Sequence, residues 1–290
     1  MEFLLKILIL AVIQGATELL PVSSSAHVIV VEKLMGLDPT RPEMTLLLVM
    51  LHTGTMLAVI VFFWDSWKVN FLASQHVFWE SVRFITAATI ATAFVGLFLK
   101  VLIEKIMLKG VPHPEVELLF GNLLLISAAL AAAGVLILWA GYKESRSSRE
   151  KTTLGLKAAC LIGMVQGICL PFRGFSRSGA TISTGLILGV EKRRVEDFSF
   201  ALAVILTPPV ILREILRFLK VQHVSVLHGT STIGLFLPSV IGMILSFISG
   251  ILALKWLSNW LDHGRWYLFG IYCLCASVVI FLLQKALLLR

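Results

Sequence analysis

Six apolar segments of this 290-residue chain are long enough to cross a lipid bilayer, and they constrain its fold more than any other feature. A membrane-spanning helix needs about 20 mostly apolar residues. The segments are 43–64, 83–105, 118–141, 197–219, 233–257 and 267–288. Only 14% of the residues are charged, whereas a soluble domain usually carries about 25%. Because a helix satisfies its own backbone hydrogen bonds in lipid, we expect an all-α polytopic membrane protein.

Four further apolar segments are too short to cross, and they occur as two pairs that each flank a polar stretch. The pairs are 2–13 with 26–36, and 153–170 with 180–190. Non-helical backbone is not tolerated against lipid, so each pair is predicted to form a re-entrant hairpin whose tip is buried in protein. The predicted hairpins cover residues 2–36 and 153–190.

The two polar stretches resemble each other. "IQGATELLPVSSSAHVIV" begins at residue 13, and "VQGICLPFRGFSRSGATIST" begins at residue 165. At an ungapped offset of 152 residues, Gln14 aligns with Gln166 and Ser24 aligns with Ser176. The shared Gln-Gly pair and the serine-rich tips favour an internal repeat over chance similarity.

The number of crossings predicts how the two halves are related. Each half has one hairpin and three crossings, an odd number, so the second half starts from the opposite side of the membrane. We therefore predict inverted repeats over 1–141 and 153–290, with their tips together near the midplane. The basic linker 142–152 and the basic loop 191–194 then share one face, opposite both termini. The positive-inside rule assigns that face to the cytoplasm and the termini to the periplasm.

The first tip carries an ionisable side chain at membrane depth. Glu18 follows Gln14 by four residues, a spacing that puts both side chains on one face of a helix. Pro21 is expected to end that helix. Charge is costly inside a membrane, so Glu18 is by default a candidate functional residue.

Three serines after Pro21 suit the start of the next half-helix. Ser23, Ser24 and Ser25 are natural N-caps, and His27 follows Ser24 by three residues, on the same helical face. The free N–H groups of a helix N-terminus attract anions, phosphate in particular. A serine, a histidine and a carboxylate therefore converge on an anion-binding position, although single serines in membrane helices mostly serve packing.

The second tip adds positive charge. Arg177 offers a planar fork suited to a bidentate phosphate contact, and Arg173 is a second candidate for the same role. Gly174 permits a close backbone approach, whereas Ser176 and Ser178 suit helix capping. The two tips together predict a phosphate site near the midplane.

Other features narrow the classes of function. The net charge of +8 is dispersed along the chain, and this distribution does not indicate a protein that binds nucleic acid. The four cysteines all lie in apolar segments and show neither a zinc nor a disulfide pattern. His52 and Thr53 form a further polar island inside the first spanning segment, and the sequence leaves open whether they line the site.

These motifs carry a resemblance along essentially the whole chain. The sequence resembles the undecaprenyl-diphosphate phosphatase family, also called bacitracin-resistance proteins. The family's (E/Q)xxxE motif and its Pro-x-Ser-Ser segment with a histidine are matched by Gln14, Glu18, Pro21, Ser23, Ser24 and His27. Its PGxSRSxxT signature is matched by Gly174, Ser176, Arg177, Ser178 and Thr181. Arg173 departs from the signature, which has proline there.

The resemblance implies hydrolysis of undecaprenyl diphosphate to undecaprenyl phosphate and inorganic phosphate in the bacterial inner membrane. That reaction recycles the lipid carrier of cell-wall synthesis and removes the target of bacitracin. A divalent cation, Mg2+ or Ca2+, is also implied, and Glu18 would either hold it or orient His27. The predicted substrate-binding residues are Gln14, Ser23, Ser25, Gly174, Ser176, Ser178, Thr181 and Arg173.

Two mechanisms and a rival function stay open at the level of sequence. In one mechanism Ser24 attacks phosphorus and His27 transfers the proton; in the other His27 attacks and Ser23 or Ser24 binds phosphate. Arg177 stabilises charge on the phosphoryl oxygens in both. The rival is a lipid-phosphate flippase or transporter, because inverted repeats with broken helices also build transporters. Undecaprenyl diphosphate and membrane lipids are the expected partners, and a homodimer is left open.

Overall fold

The computed structural model describes residues 2–37, 42–106, 109, 116–146, 152–225 and 232–288. Over these residues it is helical, apart from one isolated β-bridge between Thr152 and Val190, which confirms the predicted all-α class. The helices are α1 (Glu2–Leu19), α2 (Ser24–Leu34), α3 (Pro42–Phe71), α4 (Gln75–Ile106), α5 (Leu123–Ser145), α6 (Leu156–Cys169), α7 (Arg177–Ile187), α8 (Lys192–Ser225), α9 (Thr232–Asp262) and α10 (Trp266–Leu288). A short 3-10 helix over Val116–Leu119 precedes α5.

Five helices in the described part of the chain are long and apolar enough to cross a bilayer. They run over Leu46–Phe71, Gln75–Ile106, Leu123–Ser145, Leu237–Asp262 and Tyr267–Ala286. These confirm five of the six predicted crossings. The sixth, predicted over 197–219, falls within α8 and stays a prediction.

The third crossing begins later than the sequence predicted, at Leu123 instead of residue 118. Asn122 sets this start, because its side-chain oxygen accepts hydrogen bonds from the backbone N–H groups of Leu124 at 3.0 Å and Leu125 at 3.2 Å. Asparagine is a favoured N-cap because it satisfies N–H groups that have no partner within the helix. The predicted boundary was therefore wrong by about one turn.

The two predicted hairpins correspond to α1–α2 and α6–α7, and each polar tip is a break between two helices. α1 is longer than the predicted 2–13, since it continues to Leu19 and stops before Pro21. α2 then begins at Ser24. In the second hairpin, α6 ends at Cys169 and α7 begins after the N-cap Ser176.

The chain divides into two compact units that each draw on both halves of the sequence. The first unit comprises Met1–Leu20, His27–Trp64 and Ala203–Leu257. The second comprises Pro21–Ala26, Asp65–Leu202 and Ser258–Arg290. The boundaries 1–141 and 153–290 are those of sequence repeats and stay a prediction, as does the linker 142–152, of which residues 147–151 lie outside the described residues.

The first unit packs α1 closely on α9 through small residues. A Cβ atom on Gly15 would lie 2.5 Å from the carbonyl oxygen of Ser246, so no larger residue fits there. Ser246 also donates a hydrogen bond to the carbonyl oxygen of Leu51 on α3, at 3.0 Å. Small residues at helix contacts let backbones approach, which is the usual basis of helix association in membranes. α1 is thereby held firmly against α9, and α9 against α3.

The second unit packs α6 on α4 in the same manner. A Cβ atom on Gly163 would lie 2.2 Å from the carbonyl oxygen of Ala88. The hydroxyl of Thr92 donates to the carbonyl oxygen of Gly163 at 2.8 Å, and the amide of Gln166 donates to the Thr92 hydroxyl at 3.2 Å. Gln166, the repeat counterpart of Gln14, therefore serves this buried helix contact.

Candidate active site

Gln14 and Glu18 share one face of α1, as their spacing predicts. The amide nitrogen of Gln14 donates a hydrogen bond to Glu18 Oε2 at 3.1 Å. Gln14 is buried, with 2% of its surface exposed, whereas the Glu18 side chain is 20% exposed. The buried amide thus holds a partly accessible carboxylate.

His52 of α3 completes this cluster. Its Nε2 lies 3.3 Å from the Gln14 amide nitrogen and 4.0 Å from Glu18 Oε2. The sequence marked His52 only as part of a polar island. Its neighbour Thr53 makes an ordinary helix bond to the carbonyl oxygen of Val49. The proximity of His52 to Glu18 depends on how α3 packs against α1, and a local sequence pattern does not predict that packing.

The serine turn of the first tip, residues 21–26, belongs to the second unit. Ser23 precedes α2 with a φ angle of +67°, a left-handed conformation that is uncommon outside glycine and occurs often at functional sites. Its hydroxyl oxygen lies 3.4 Å from that of Ser25. The carbonyl oxygen of Pro21 accepts a hydrogen bond from the thiol of Cys273 at 3.3 Å. The turn is therefore anchored on α10.

Ser24 and His27 have the helical spacing that the sequence predicts. Ser24 is the first residue of α2, and His27 follows within the first turn. Both side chains are half-buried. The hydroxyl and the imidazole therefore lie at the helix end where free N–H groups favour an anion.

In the second tip, Ser176 caps α7 as predicted. Its hydroxyl oxygen accepts a hydrogen bond from the backbone N–H of Gly179 at 3.2 Å. Arg177 follows as the first helical residue and is half-buried. Gly174 has a φ angle of +101°, and a Cβ atom there would lie 2.4 Å from the carbonyl oxygen of Ile126 on α5. The close backbone approach predicted for Gly174 is thus made to α5.

Three other predicted substrate ligands have protein partners in the structure. Arg173 is exposed, and its guanidinium carbon lies 4.4 Å above the centre of the Phe120 ring. Ser178 is buried within α7. Thr181 is fully buried, donates to the carbonyl oxygen of Arg177, and lies 2.6 Å from the hydroxyl of Ser199. Contact of these three residues with substrate stays a prediction.

Both tips rest on one helix pair, α5 and α10. The first tip bonds through Pro21 to Cys273 of α10, and the second tip packs on Ile126 of α5. Ser127, next to Ile126, exchanges hydrogen bonds with Ser277, one turn beyond Cys273. The serine turn and the arginine-bearing tip are therefore anchored to neighbouring turns of α5 and α10 within one unit.

Among the described residues, no group of three or more His, Cys, Asp or Glu side chains is arranged to hold a metal ion. Glu18 and Gln14 together offer one carboxylate and one amide. Mg2+ commonly binds one or two carboxylates together with substrate phosphates and water, whereas Ca2+ takes six to eight oxygen ligands. The residues present therefore fit Mg2+ shared with a phosphorylated ligand better than Ca2+ held by protein alone.

Comparison with known proteins assigns the chain to a family. A family model described as bacitracin resistance protein BacA matches residues 7–279. The chain is 56% identical to undecaprenyl-diphosphatase 2 of Acinetobacter baylyi, over 96% of each chain. It is 32% identical to an undecaprenyl-diphosphatase of Bacteroides fragilis, over 94% of this chain and 95% of the relative. An undecaprenyl-diphosphatase of Rhodopirellula baltica is 30% identical over 98% of this chain and 99% of the relative.

Proposed function

Since the chain belongs to the bacitracin resistance protein BacA family, we propose that it hydrolyses undecaprenyl diphosphate to undecaprenyl phosphate and inorganic phosphate. One observation carries the proposal beyond family membership: the serine turn and the arginine-bearing tip are anchored to the same helix pair. The candidate nucleophile Ser24 and the cation Arg177 thereby belong to one compact unit. Loss of the diphosphate removes the ligand of bacitracin, which gives resistance.

In the mechanism we favour, Ser24 attacks the terminal phosphorus. A bond forms between Ser24 Oγ and that phosphorus, the bond to the bridging oxygen breaks, and undecaprenyl phosphate leaves. His27 takes the proton of the Ser24 hydroxyl and gives it to the bridging oxygen of the departing undecaprenyl phosphate. Water then attacks the phosphoserine and passes a proton to the neutral His27. The bond between phosphorus and Ser24 Oγ breaks, His27 returns the proton to Ser24 Oγ, and inorganic phosphate is released.

Positive charge and backbone N–H groups stabilise the transition state in this mechanism. Arg177 binds two phosphoryl oxygens through its planar fork. The N-termini of α2 and α7 direct N–H groups and positive dipole ends toward the same charge. The second mechanism uses the same binding groups but has His27 attack phosphorus, with Ser23 or Ser24 only binding phosphate.

Glu18 is the proposed protein ligand of Mg2+. When bound, the ion would neutralise charge on the diphosphate, which is a regular part of phosphoryl transfer. Gln14 orients the Glu18 carboxylate through the hydrogen bond at 3.1 Å. If Glu18 orients His27 instead, its replacement by glutamine would leave the divalent-cation dependence unchanged.

We further propose that the two halves are inverted repeats whose tips meet near the membrane midplane. Support comes from reciprocal packing: Gly15 of α1 contacts α9, whereas its repeat counterpart Gly167 of α6 contacts α4. Pro21 of the first tip likewise contacts α10, and Gly174 of the second contacts α5. Each hairpin thus packs on helices of the other half. The prenyl chain would stay in lipid while the diphosphate enters between the tips.

The basic loops are proposed to face the cytoplasm of the bacterial inner membrane, with both termini periplasmic. Lys192 pairs with Glu144 at 3.2 Å, and the backbone N–H of Thr152 donates to the carbonyl oxygen of Gly189 at 3.0 Å. These contacts join the described ends of the two loops and support a common face for them. Membrane-impermeant labelling of single cysteines tests the orientation, in a background without the four native cysteines. Lys192→Cys and Ser147→Cys should react from one side and Arg290→Cys from the other; Ser147 and Arg290 lie outside the described residues.

Phosphate release by the purified protein in detergent tests the proposed activity, because transport has no meaning without a membrane. We expect release of one inorganic phosphate per undecaprenyl diphosphate consumed. Lipid flipping in vesicles without any hydrolysis in detergent would instead establish the flippase and refute the phosphatase.

A further inference from the structure

The imidazole of His52 is held in a defined tautomer by its two neighbours. His52 Nδ1 lies 2.8 Å from the carbonyl oxygen of Leu48, and a carbonyl oxygen can only accept, so Nδ1 carries the proton. His52 Nε2 lies 3.3 Å from the amide nitrogen of Gln14, which can only donate. Nε2 is therefore the acceptor of this contact.

Gln14 uses both of its amide protons in this cluster. One N–H points to Glu18 Oε2 at 3.1 Å and the other to His52 Nε2 at 3.3 Å. The opposite amide orientation would bring the Gln14 oxygen against the Glu18 carboxylate oxygen, two acceptors in repulsive contact. The Glu18 carboxylate and the His52 lone pair therefore favour the same orientation of the Gln14 amide.

From this geometry we propose that His52 is a positioning residue that acts on Glu18 through the Gln14 amide. The inference rests on the proposed phosphatase function of the site. His52 fixes the Gln14 side chain, and Gln14 fixes the carboxylate of Glu18, the proposed metal ligand. His52 itself needs no contact with substrate. Mutation of groups that support a metal ligand typically costs 10- to 100-fold in metal affinity or activity, and Glu18 is the proposed metal ligand.

A purely structural role for His52 would depend on its other bond, from Nδ1 to Leu48. Two substitutions separate the roles. His52→Gln places an amide oxygen near the position of Nε2, so it keeps an acceptor for Gln14. His52→Asn places an amide nitrogen near the position of Nδ1, so it keeps the bond to Leu48 and loses the contact with Gln14.

Phosphate release in detergent is the first measurement. We expect His52→Asn and His52→Ala to lower kcat/KM by about 10- to 100-fold, and His52→Gln to retain most of the wild-type value. Thr53→Val, which removes a neighbouring hydroxyl that bonds to the carbonyl oxygen of Val49 in the same helix, is the matched control and should behave as wild type. Full activity in His52→Asn together with loss in His52→Gln would overturn the proposal in favour of the Leu48 anchor.

A double substitution tests whether His52 acts through Gln14. In a Gln14→Ala background, His52→Ala should cause no further loss, because the bridging amide is already gone. Losses that multiply would show that His52 acts on the site by another path, and the proposal would be wrong.

The tautomer provides a readout that needs no activity. Nitrogen NMR of the full-length protein labelled with 15N-histidine, with His52→Asn identifying the signal, should show a protonated Nδ1 and an acceptor Nε2. A protonated Nε2 in a neutral ring would refute the hydrogen bond from the Gln14 amide to His52, whether or not the protein hydrolyses the substrate. If the expected tautomer occurs but wild type releases no phosphate, the proposed phosphatase function is wrong, whereas the contact between His52 and Gln14 is confirmed.

Discussion

The hydroxyl of Ser127 donates to the carbonyl oxygen of Ser277 at 3.0 Å, and the hydroxyl of Ser277 donates to the carbonyl oxygen of Ser127 at 2.9 Å. The two residues are 150 positions apart, close to the 152-residue offset between the tips. Each residue both donates and accepts, as the proposed two-fold relation between the repeats would require of a contact between α5 and α10. It lies beside Ile126, on which Gly174 packs, so the pair supports the candidate site.

Arg177→Lys tests the need for a guanidinium fork. Lysine keeps the positive charge but cannot bind two phosphoryl oxygens in a planar, bidentate manner. We expect kcat to fall at least tenfold, on the order of 1.4 kcal/mol of transition-state stabilisation. Steady-state phosphate release measures this effect, and near-normal turnover would remove Arg177 from the catalytic residues.

Gly174→Ala tests the packing of the second tip on α5. Alanine at a φ of +101° is strained, and its Cβ would also lie 2.4 Å from the carbonyl oxygen of Ile126. Gly189→Ala is the matched control, since Gly189 has a φ of +83° and, its chain neighbours aside, no atom of the described residues lies within 4 Å of its Cβ position. Strain alone costs about 1–2 kcal/mol. The control should therefore lower the thermal stability modestly, whereas Gly174→Ala should also lose activity.

Equal losses of stability and activity in the two alanine variants would contradict this account. They would indicate that backbone conformation alone, and not contact with Ile126, matters at position 174.

Glu196→Gln should make stability less dependent on pH. Glu196 is buried, with 4% of its surface exposed, and precedes the predicted crossing 197–219. Burial raises its pKa to about 8 from the ordinary 4.5, although a hydrogen bond from the Ser258 hydroxyl opposes the shift, and the nearby Asp197 carboxylate adds to it. Between pH 5 and 8 the unfolded chain ionises this carboxyl while the folded protein keeps it protonated. Rising pH therefore favours the unfolded chain.

Thermal unfolding in detergent across pH 5 to 8 measures the difference. One proton changes the slope by about 1.4 kcal/mol per pH unit at most, and Glu196→Gln should lack this decline in stability. Glu191→Gln removes an exposed carboxyl from the same loop and should follow wild type. Parallel curves for wild type and Glu196→Gln would show that Glu196 does not retain its proton.

Local features of the site could be read from the sequence. A four-residue spacing placed Gln14 and Glu18 on one helical face, and their hydrogen bond confirms this. Ser176 was expected to cap a helix, and it does. Both expectations depend on atoms only a few residues apart, for which helix geometry and capping chemistry are sufficient.

Contacts between segments that lie far apart in the chain could not be predicted from the sequence. His52 lies 38 residues from Gln14, and Thr181 lies 18 residues from Ser199. Which polar side chains meet depends on how two helices are rotated against each other, and a largely apolar sequence gives little periodic signal for that rotation. The start of α5 was wrong for a different reason. Because apolar residues lie both before and after Asn122, the predicted crossing ran through this position, and Asn122 was not identified as the N-cap.

Turnover and covalent trapping with Ser24→Ala test the central claim, that Ser24 attacks the terminal phosphorus in a site completed by Arg177. Purified protein in detergent would be given undecaprenyl diphosphate labelled in its terminal phosphate and quenched in acid. We expect wild type to carry the label on serine, and Ser24→Ala to bind substrate without measurable turnover. His27→Ala should be comparably inactive, and the double variant little worse than either single one, because residues that act as a unit lose their effect together. Substantial turnover by Ser24→Ala, or label on histidine in wild type, would contradict the serine mechanism.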